Sequence, residues 1–213
     1  MATALVTLTI GPQFEGMAKL THPSLKRYAT SIGAHFHIIT ERKFPQANEC
    51  YEKLQCRELL NQFDRIIYLD TDILVKKTCP NLFDVVPFGT FGAFAEGKVL
   101  GNGRRALEQA NRQGWGDYTK RYKEFFNAGV MIFDKTHQEI FTAPEVFHNN
   151  FWDNTWMCLQ VMKHAQKFMD IGEKFDFMCS LDWPNRLKKA EIIHYAGNAK
   201  GWILPDLQSG LFT

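Results

Sequence analysis

Arg65-Ile66-Ile67-Tyr68-Leu69-Asp70-Thr71-Asp72-Ile73-Leu74-Val75 decides the reading of this chain. Apolar and β-branched residues run without interruption into a carboxylate, a small polar residue and a second carboxylate. A continuous apolar run bounded by polar residues is the pattern of a strand buried on both faces. Ligands of open α/β sheets bind outside the carboxyl ends of the strands. Asp70 and Asp72 stand at such an end and can aim oxygens at one point. Oxygen ligands suit a hard divalent cation such as Mg²⁺ or Mn²⁺. A cation there would neutralise phosphate oxygens, so a nucleoside diphosphate is the expected third party. Taken alone, Asp-X-Asp is equally the pattern of a solvated turn that stops a strand.

The remaining composition narrows the class. A length of 213 residues fits one domain with a substantial core. Apolar residues make up 45% and aromatics 14%, which excludes a disordered tail protein. A formal charge of +2 gives no strong attraction to nucleic acid or to a membrane surface. No apolar run approaches the roughly 20 residues of a membrane span. Met1-Ala2-Thr3-Ala4 carries no basic region and is not read as a secretory signal. Five cysteines without a Cys-x-x-Cys pair argue against a zinc site or a disulfide framework. A reducing compartment, the cytoplasm, is expected.

Outward from the central strand, the pattern alternates. Ala4 to Ile10 reads as a strand broken by Gly11-Pro12, and 18–32 as a helix closed by Gly33. Residues 35–40 form a second strand, 41–48 a polar loop, 51–62 a second helix, and Arg65–Leu69 the third strand. This order predicts a parallel, right-handed βαβαβ unit, half of a nucleotide-binding fold. It puts Lys53 in the first turn of a helix at the same sheet edge as Asp70, within reach of a phosphate. A short helical turn is expected over 79–86 and a strand over 91–95. A glycine-rich, basic and partly helical excursion follows over 98–123, of the kind that serves as a lid or binding loop. The stretch 125–133 contains a second buried strand, with Asn127 and Gly129 at its mouth. Residues 136–149 and 154–165 read as helices, and 191–194 as a last strand. That strand ends in His194, which can be a third metal ligand or a structural histidine. Gly197 lets backbone approach a diphosphate, and Lys200 supplies a point charge. No P-loop and no dinucleotide fingerprint are present, which favours a metal as the phosphate clamp.

Four of these stretches resemble glycosyltransferase family 8, the glycogenin-like retaining enzymes of GT-A fold. Thr7 to Phe14 is similar to the family's first strand and uridine-contacting loop. That implies nucleotide contacts from Leu8, Thr9, Ile10 and Gly11, and stacking of Phe14 on the base. Tyr68-Leu69-Asp70-Thr71-Asp72 resembles the family's metal motif. Phe126-Asn127-Ala128-Gly129-Val130 resembles the segment whose Asn touches the donor sugar. His194 to Trp202 resembles His-x-x-Gly-x-x-Lys-x-Trp, which implies Asp70, Asp72 and His194 on the metal, with Gly197 and Lys200 on the diphosphate. Lys53 falls where the family places a basic donor contact. Asp153-Asn154 stands where the family has Asp-Gln beside the reacting carbon, so a shorter amide replaces the Gln.

The resemblance implies an α/β, GT-A fold: a single Rossmann-like domain over residues 1–213 with a mainly parallel central sheet flanked by helices. The chain stands alone or as the N-terminal part of a longer protein. The implied activity is Mn²⁺-dependent (or Mg²⁺-dependent) retaining transfer from a UDP-sugar, with UDP-glucose as default, to a hydroxyl of a carbohydrate or glycoprotein glycan. Asp153, Asn154 and Asn127 would act at the sugar. Two rivals remain open at this point. A haloacid dehalogenase-type phosphohydrolase also opens with a strand into Asp-X-Asp, but wants Thr or Val where this chain has Leu74. A non-catalytic sugar-nucleotide-binding module would keep Asp70, Asp72 and His194 without the residues around the sugar.

Overall fold

In the computed structural model, residues 1–148, 152–165 and 167–212 are described. Among them, a six-stranded sheet has the order β2-β1-β3-β6-β5-β7. The strands are β1 (Thr3–Leu8), β2 (His35–Ile39), β3 (Arg65–Leu69), β5 (Phe91–Ala93), β6 (Val130–Asp134) and β7 (Phe168–Asp170). Strands β1, β2 and β3 are mutually parallel, as the alternating pattern predicts. β5 pairs in parallel with β7, and only β6 runs against its neighbours β3 and β5. A second sheet joins β4 (Ile73–Val75) to β8 (Ile192–His194) in antiparallel register. The sheet is thus mainly parallel, and its helices cover it as in other α/β folds.

The central strand behaves as its apolar run demands. Ile66, Ile67, Tyr68 and Leu69 are fully buried. Successive side chains point to opposite faces of a strand. Ile66 and Tyr68 accordingly join one core layer with Val6 and Met131, while Ile67 and Leu69 join the other with Leu5 and Ile132. Arg65 enters the buried strand because its guanidinium donates to the Phe83 and Val86 carbonyls and lies over the Phe83 ring.

Several boundaries differ from expectation. Helix α1 spans Pro12–Ser31 and begins six residues before 18. Gly11, at φ 84, turns the chain, and Pro12 occupies a first-turn position where its missing N–H costs nothing. The helix expected over 51–62 is a 3₁₀ segment, Glu49–Gln55, followed by a short α2, Cys56–Leu59. The adjacent polar residues Glu52 and Lys53 are both buried. Glu52 accepts from the Lys43 and Phe44 backbone N–H groups and so holds the 41–48 loop, while Lys53 turns toward the sheet edge. Helix α3, Leu82–Val85, is the expected short turn. The strand expected within 125–133 is β6, which starts at Val130, and residues 125–129 lead into it as the expected mouth. Past β6, Lys135–Phe141 is 3₁₀, and residues 142–148 leave helix. Residue 149 of the expected helix lies outside the described residues. α6 (Trp152–His164) matches the 154–165 expectation. The strand expected over 191–194 forms, but pairs with β4 rather than extending the large sheet. After it, α7 having covered Arg186–Lys189, α8 covers Ile203–Leu207.

The 98–123 excursion is partly helical, with α4 (Glu96–Val99), α5 (Gly103–Arg112) and a 3₁₀ turn at Thr119–Glu124. It packs tightly rather than hanging free. A Cβ at Gly97 would meet the Tyr122 carbonyl oxygen at 2.1 Å, and one at Gly103 would meet it at 2.5 Å. Gly97→Ala should therefore cost about 1–3 kcal/mol through overpacking. It should also raise protease sensitivity within 98–124, as read by thermal denaturation and limited proteolysis. An unchanged midpoint would show that this packing is not required.

Candidate active site

Antiparallel pairing brings together residues far apart in the chain. β4 starts directly after Asp72, and its Ile73 pairs with His194 at the end of β8. The Tyr195 N–H donates to the Asp72 carbonyl at 2.8 Å, which fixes the two ends against each other. The reversed β6 delivers its entry to the same place, where the Asp70 N–H donates to the Gly129 carbonyl at 2.8 Å. A cavity of about 640 Å³ opens at this edge. That is within the ordinary range for small-molecule sites.

His194 Nε2 lies 3.3 Å from Asp72 Oδ1 and 3.9 Å from Asp70 Oδ2. One ligand atom from each of the three residues lies within 4.8 Å of the others. On its other side, His194 Nδ1 is 2.9 Å from Asp176 Oδ1, and Asp176 is fully buried. A carboxylate behind a metal-ligating imidazole fixes its tautomer and orientation. Gly129 leaves the room the ring occupies, since a Cβ there would meet His194 Cε1 at 2.3 Å. Two carboxylates and a supported imidazole fit a divalent cation. Without one, burial would lower the His194 pKa, but Asp72 and Asp176 outweigh burial and hold it well above the ordinary value. Burial likewise works to raise Asp72, and His194 and Lys200 overcome it and hold the carboxyl well below its usual range.

Two lysines offset these charges. Lys200 Nζ sits 3.0 Å from Asp72 Oδ2 and is half exposed at the cavity rim. Lys53 is buried and bridges two carboxylates, at 3.6 Å from Asp70 Oδ1 and 3.2 Å from Asp153 Oδ2. Burial would lower its pKa, but Asp70 and Asp153 reverse that and keep the ammonium above the usual lysine range. Tyr68 OH adds a 2.8 Å hydrogen bond to Asp70 Oδ1. Lys53 lines the cavity at the sheet edge, where it is the ionic joint in the floor.

The other sequence-predicted residues divide. Leu8, Phe14, Thr71, Asn127, Asp153, Asn154, Gly197 and Lys200 line the cavity. Thr9, Ile10 and Gly11 do not. Thr9 bonds His22 and the Ile39 carbonyl, Ile10 is buried in the core, and Gly11 caps α1. The Thr71 hydroxyl is committed to the Leu8 carbonyl. Asn127 Oδ1 accepts from the Gly129 N–H at 2.8 Å, an Asx-type turn that shapes the mouth. Asn154 spends both ends of its amide on that mouth, accepting from the Ala128 N–H at 2.6 Å and donating to the Phe126 carbonyl at 3.0 Å.

Sequence reasoning missed Asp176, Glu96, Cys50 and Gln109. Nothing in the 173–177 stretch marks Asp176 as the partner of His194. Glu96 had a usable signal, since it follows β5 at the carboxyl edge, as Asp70 follows β3. Glu96 accepts from Asn102 at 3.0 Å, and burial pushes its carboxyl up. The Cys50 thiol is pushed up to about 12 by burial and then by Asp153.

Behind the Gly197–Lys200 loop lies a buried clamp. Arg186 binds Asp206 through two hydrogen bonds of 2.7 and 2.6 Å and sits between the Trp183 and Trp202 rings. Tyr195 OH donates to the same carboxylate at 2.7 Å. The segment after His194 is thereby tied at both ends.

Comparison with known proteins agrees with this arrangement. The family described as Glycosyl transferase family 8 matches residues 41–204. No curated protein matches the chain by sequence. Among solved structures, a glycosyltransferase involved in glycosylation of the major capsid of PBCV-1 superposes with a TM-score of 0.60 at 14% identity, covering 97% of this chain and 99% of that one. The galactosyltransferase LgtC, solved with donor and acceptor sugar analogues, gives 0.58 at 16% identity over 99% and 96%. The bifunctional glycosyltransferase WbbM gives 0.64 at 14% identity over 94% of this chain and 47% of that one. At these identities the likeness establishes the fold, which is GT-A. Among the described residues, no helix is long and apolar enough to cross a membrane.

The clamp yields a direct expectation. Asp206→Ala leaves Arg186 buried without its partner and removes the acceptor of Tyr195 OH, and should destabilise the protein by about 3–5 kcal/mol. Chemical denaturation measures it. A loss below about 1 kcal/mol would mean that the Arg186 charge finds solvent when its partner is removed.

Proposed function

We propose that this chain, which belongs to glycosyl transferase family 8, transfers a sugar from a UDP-sugar to a glycan hydroxyl with retention of anomeric configuration. It is a glycosyltransferase; the donor, the acceptor, the metal and the stereochemistry are proposed. The observation that carries the reading is the meeting of Asp70, Asp72, His194 and Lys200 in one cavity. Asp70, Asp72 and His194 would hold Mn²⁺, or Mg²⁺, with Asp176 orienting the imidazole. When bound, the cation supplies positive charge to the diphosphate of the leaving group.

The chain's own groups do the rest. Lys200 reaches the same phosphates from the rim, and Gly197, at φ 60, lets the backbone pass close to them. Phe14 stacks on the base, with the Leu8 end of β1 beside it. Thr9, Ile10 and Gly11 bear on the base only through the shape of the loop. Asn127 and Asp153 border the sugar, and Asn154 holds the Asn127 mouth in place.

Inversion needs a general base opposite the leaving group to deprotonate the incoming hydroxyl. Asp153 is the assigned carboxylate beside the sugar, and it is buried against the Lys53 ammonium at 3.2 Å. A carboxylate engaged in such an ion pair is a weaker nucleophile than a free one. The favoured route is attack of the acceptor on the face from which UDP leaves, with a diphosphate oxygen taking the proton. A cytoplasmic site of action fits this reading, as does a carbohydrate or glycoprotein glycan acceptor.

UDP binding should collapse in excess chelator and return with Mn²⁺, and Asp72→Asn should remove that dependence. UDP should bind more tightly than ADP. Titration calorimetry reads all three, and chelator-insensitive UDP binding would sink the metal assignment. Asp153→Ala removes the negative charge beside the oxocarbenium-like sugar and should slow transfer by at least about a hundredfold, while UDP affinity stays within about twofold. Proton NMR of the first-formed product should show the donor's anomeric configuration, and an inverted coupling would overturn the mechanism.

A further inference from the structure

A second groove, of about 900 Å³, lies further along α6 from the donor cavity. Trp156, Leu159, Gln160 and Lys163 line it at i, i+3, i+4 and i+7, which is one face of a helix. Trp115 and Tyr118, from the turn after α5, close the opposite wall. The two indoles meet at 5.0 Å between centroids and 69° between planes, and both are half buried. The Trp156 Nε1–H donates to the Thr142 carbonyl at 2.8 Å, which holds that ring in place. The result is a rigid aromatic corner surrounded by amide groups.

The groove neighbours the donor cavity along two helices, although the two share no lining residue. Asp153, Asn154 and Thr155 line the cavity, and Trp156, the next residue, begins the groove. On α5, Gln109 lines the cavity, while Gln113 lies four residues on and lines the groove. That spacing is just over one helical turn, about 6 Å of rise, comparable with the length of a sugar unit. A chain leaving the cavity over Gln109 therefore arrives at Gln113 and Trp115.

The lining chemistry specifies the ligand. An aromatic face carries negative charge density and attracts the C–H face of a pyranose. The amides of Gln113 and Gln160 offer both donors and acceptors for hydroxyls. Glu139 is paired with Arg57 at 3.0 Å, which leaves Glu145 against Lys163 and no net charge among these groups to favour a charged ligand. We propose that this groove is a distal acceptor subsite, which docks neutral pyranose units one or more sugars away from the hydroxyl that receives the new residue. The natural acceptor is then an oligosaccharide rather than a single sugar. The proposal rests on the reading of the first cavity as the donor site.

The test uses a ladder of glucose, galactose, mannose and xylose oligosaccharides, from one to five units, with a UDP-sugar donor. In the wild type, acceptor KM should fall roughly tenfold as the chain lengthens to reach the groove, with kcat little changed. Trp115→Ala should abolish that length advantage. Should that variant fail to fold, the double variant Gln113→Ala/Lys163→Ala, at two exposed positions, should reduce it at least about threefold. UDP release by donor hydrolysis should be unaffected in either. Saturation-transfer NMR without donor should show contact to the longer sugars, lost in the same variants. Normal hydrolysis with neither a length effect nor saturation transfer overturns the subsite and leaves the donor reading intact. Absence of UDP release from every donor overturns the donor reading, and saturation transfer then decides the groove alone. Saturation transfer or a length advantage that survives the variants places the glycan elsewhere and also overturns the proposal.

Discussion

Carboxylates cannot be gathered in a partly dry cleft without positive charge among them. Two unit charges 4 Å apart interact by about 4 kcal/mol at an effective dielectric of 20. Asp70, Asp72, Asp153 and Asp176 are nevertheless assembled at one sheet edge, with Glu96 across the cavity. Lys53 is the joint that makes the cluster tenable, since it is buried and faces Asp70 and Asp153 at once. Lys200 and His194 serve Asp72 in the same way. The arrangement still carries more carboxylates than fixed cations. It is therefore suited to a ligand set that brings positive charge with it.

The topology follows from the need to bring these groups to one edge. The parallel strands β1 and β3 point their carboxyl ends at the cavity, which supplies Leu8 and Asp70. β6 runs the other way, so its beginning, with Asn127 and Gly129, arrives at that same edge. The small β4–β8 sheet performs the longest bridge, from Asp72 to His194. Close approach then selects individual residues. Gly129 is small because the His194 ring fills the space a side chain would take, and Gly97 and Gly103 are small because the Tyr122 carbonyl does. Behind the Gly197–Lys200 loop, the Arg186–Asp206–Tyr195 contacts confine the backbone that follows the histidine. Rigid support of this kind is what keeps a site within the tolerance that binding requires.

Much of this was legible in the sequence because it depends on local rules. An unbroken apolar run must be buried, so β3 and the carboxylates beyond it could be placed from Arg65 to Asp72. Alternating strand and helix patterns determined the parallel β1, β2 and β3, Gly11-Pro12 marked the break after β1, and Gly33 marked the close of α1. Motif order assigned Asp70, Asp72, His194 and Lys200 to one site. The reversed direction of β6, the partner of β8, and the tight 3₁₀ winding of Glu49–Gln55 were decided only in three dimensions. Each depends on long-range pairing or on buried polar partners, such as Glu52 with the Lys43 and Phe44 backbone. The same holds for function at the level of single groups. The place of Lys53 in the βαβ unit pointed to the sheet edge, and the family resemblance pointed to Asp153 and Asn154. Only the folded chain showed Lys53 as a buried bridge, Asn154 as a strut for the Asn127 mouth, and Asp176 behind His194. Local periodicity records which face of an element is buried. It does not record which distant group will meet a given side chain there, because that choice is made by the packing of the whole domain.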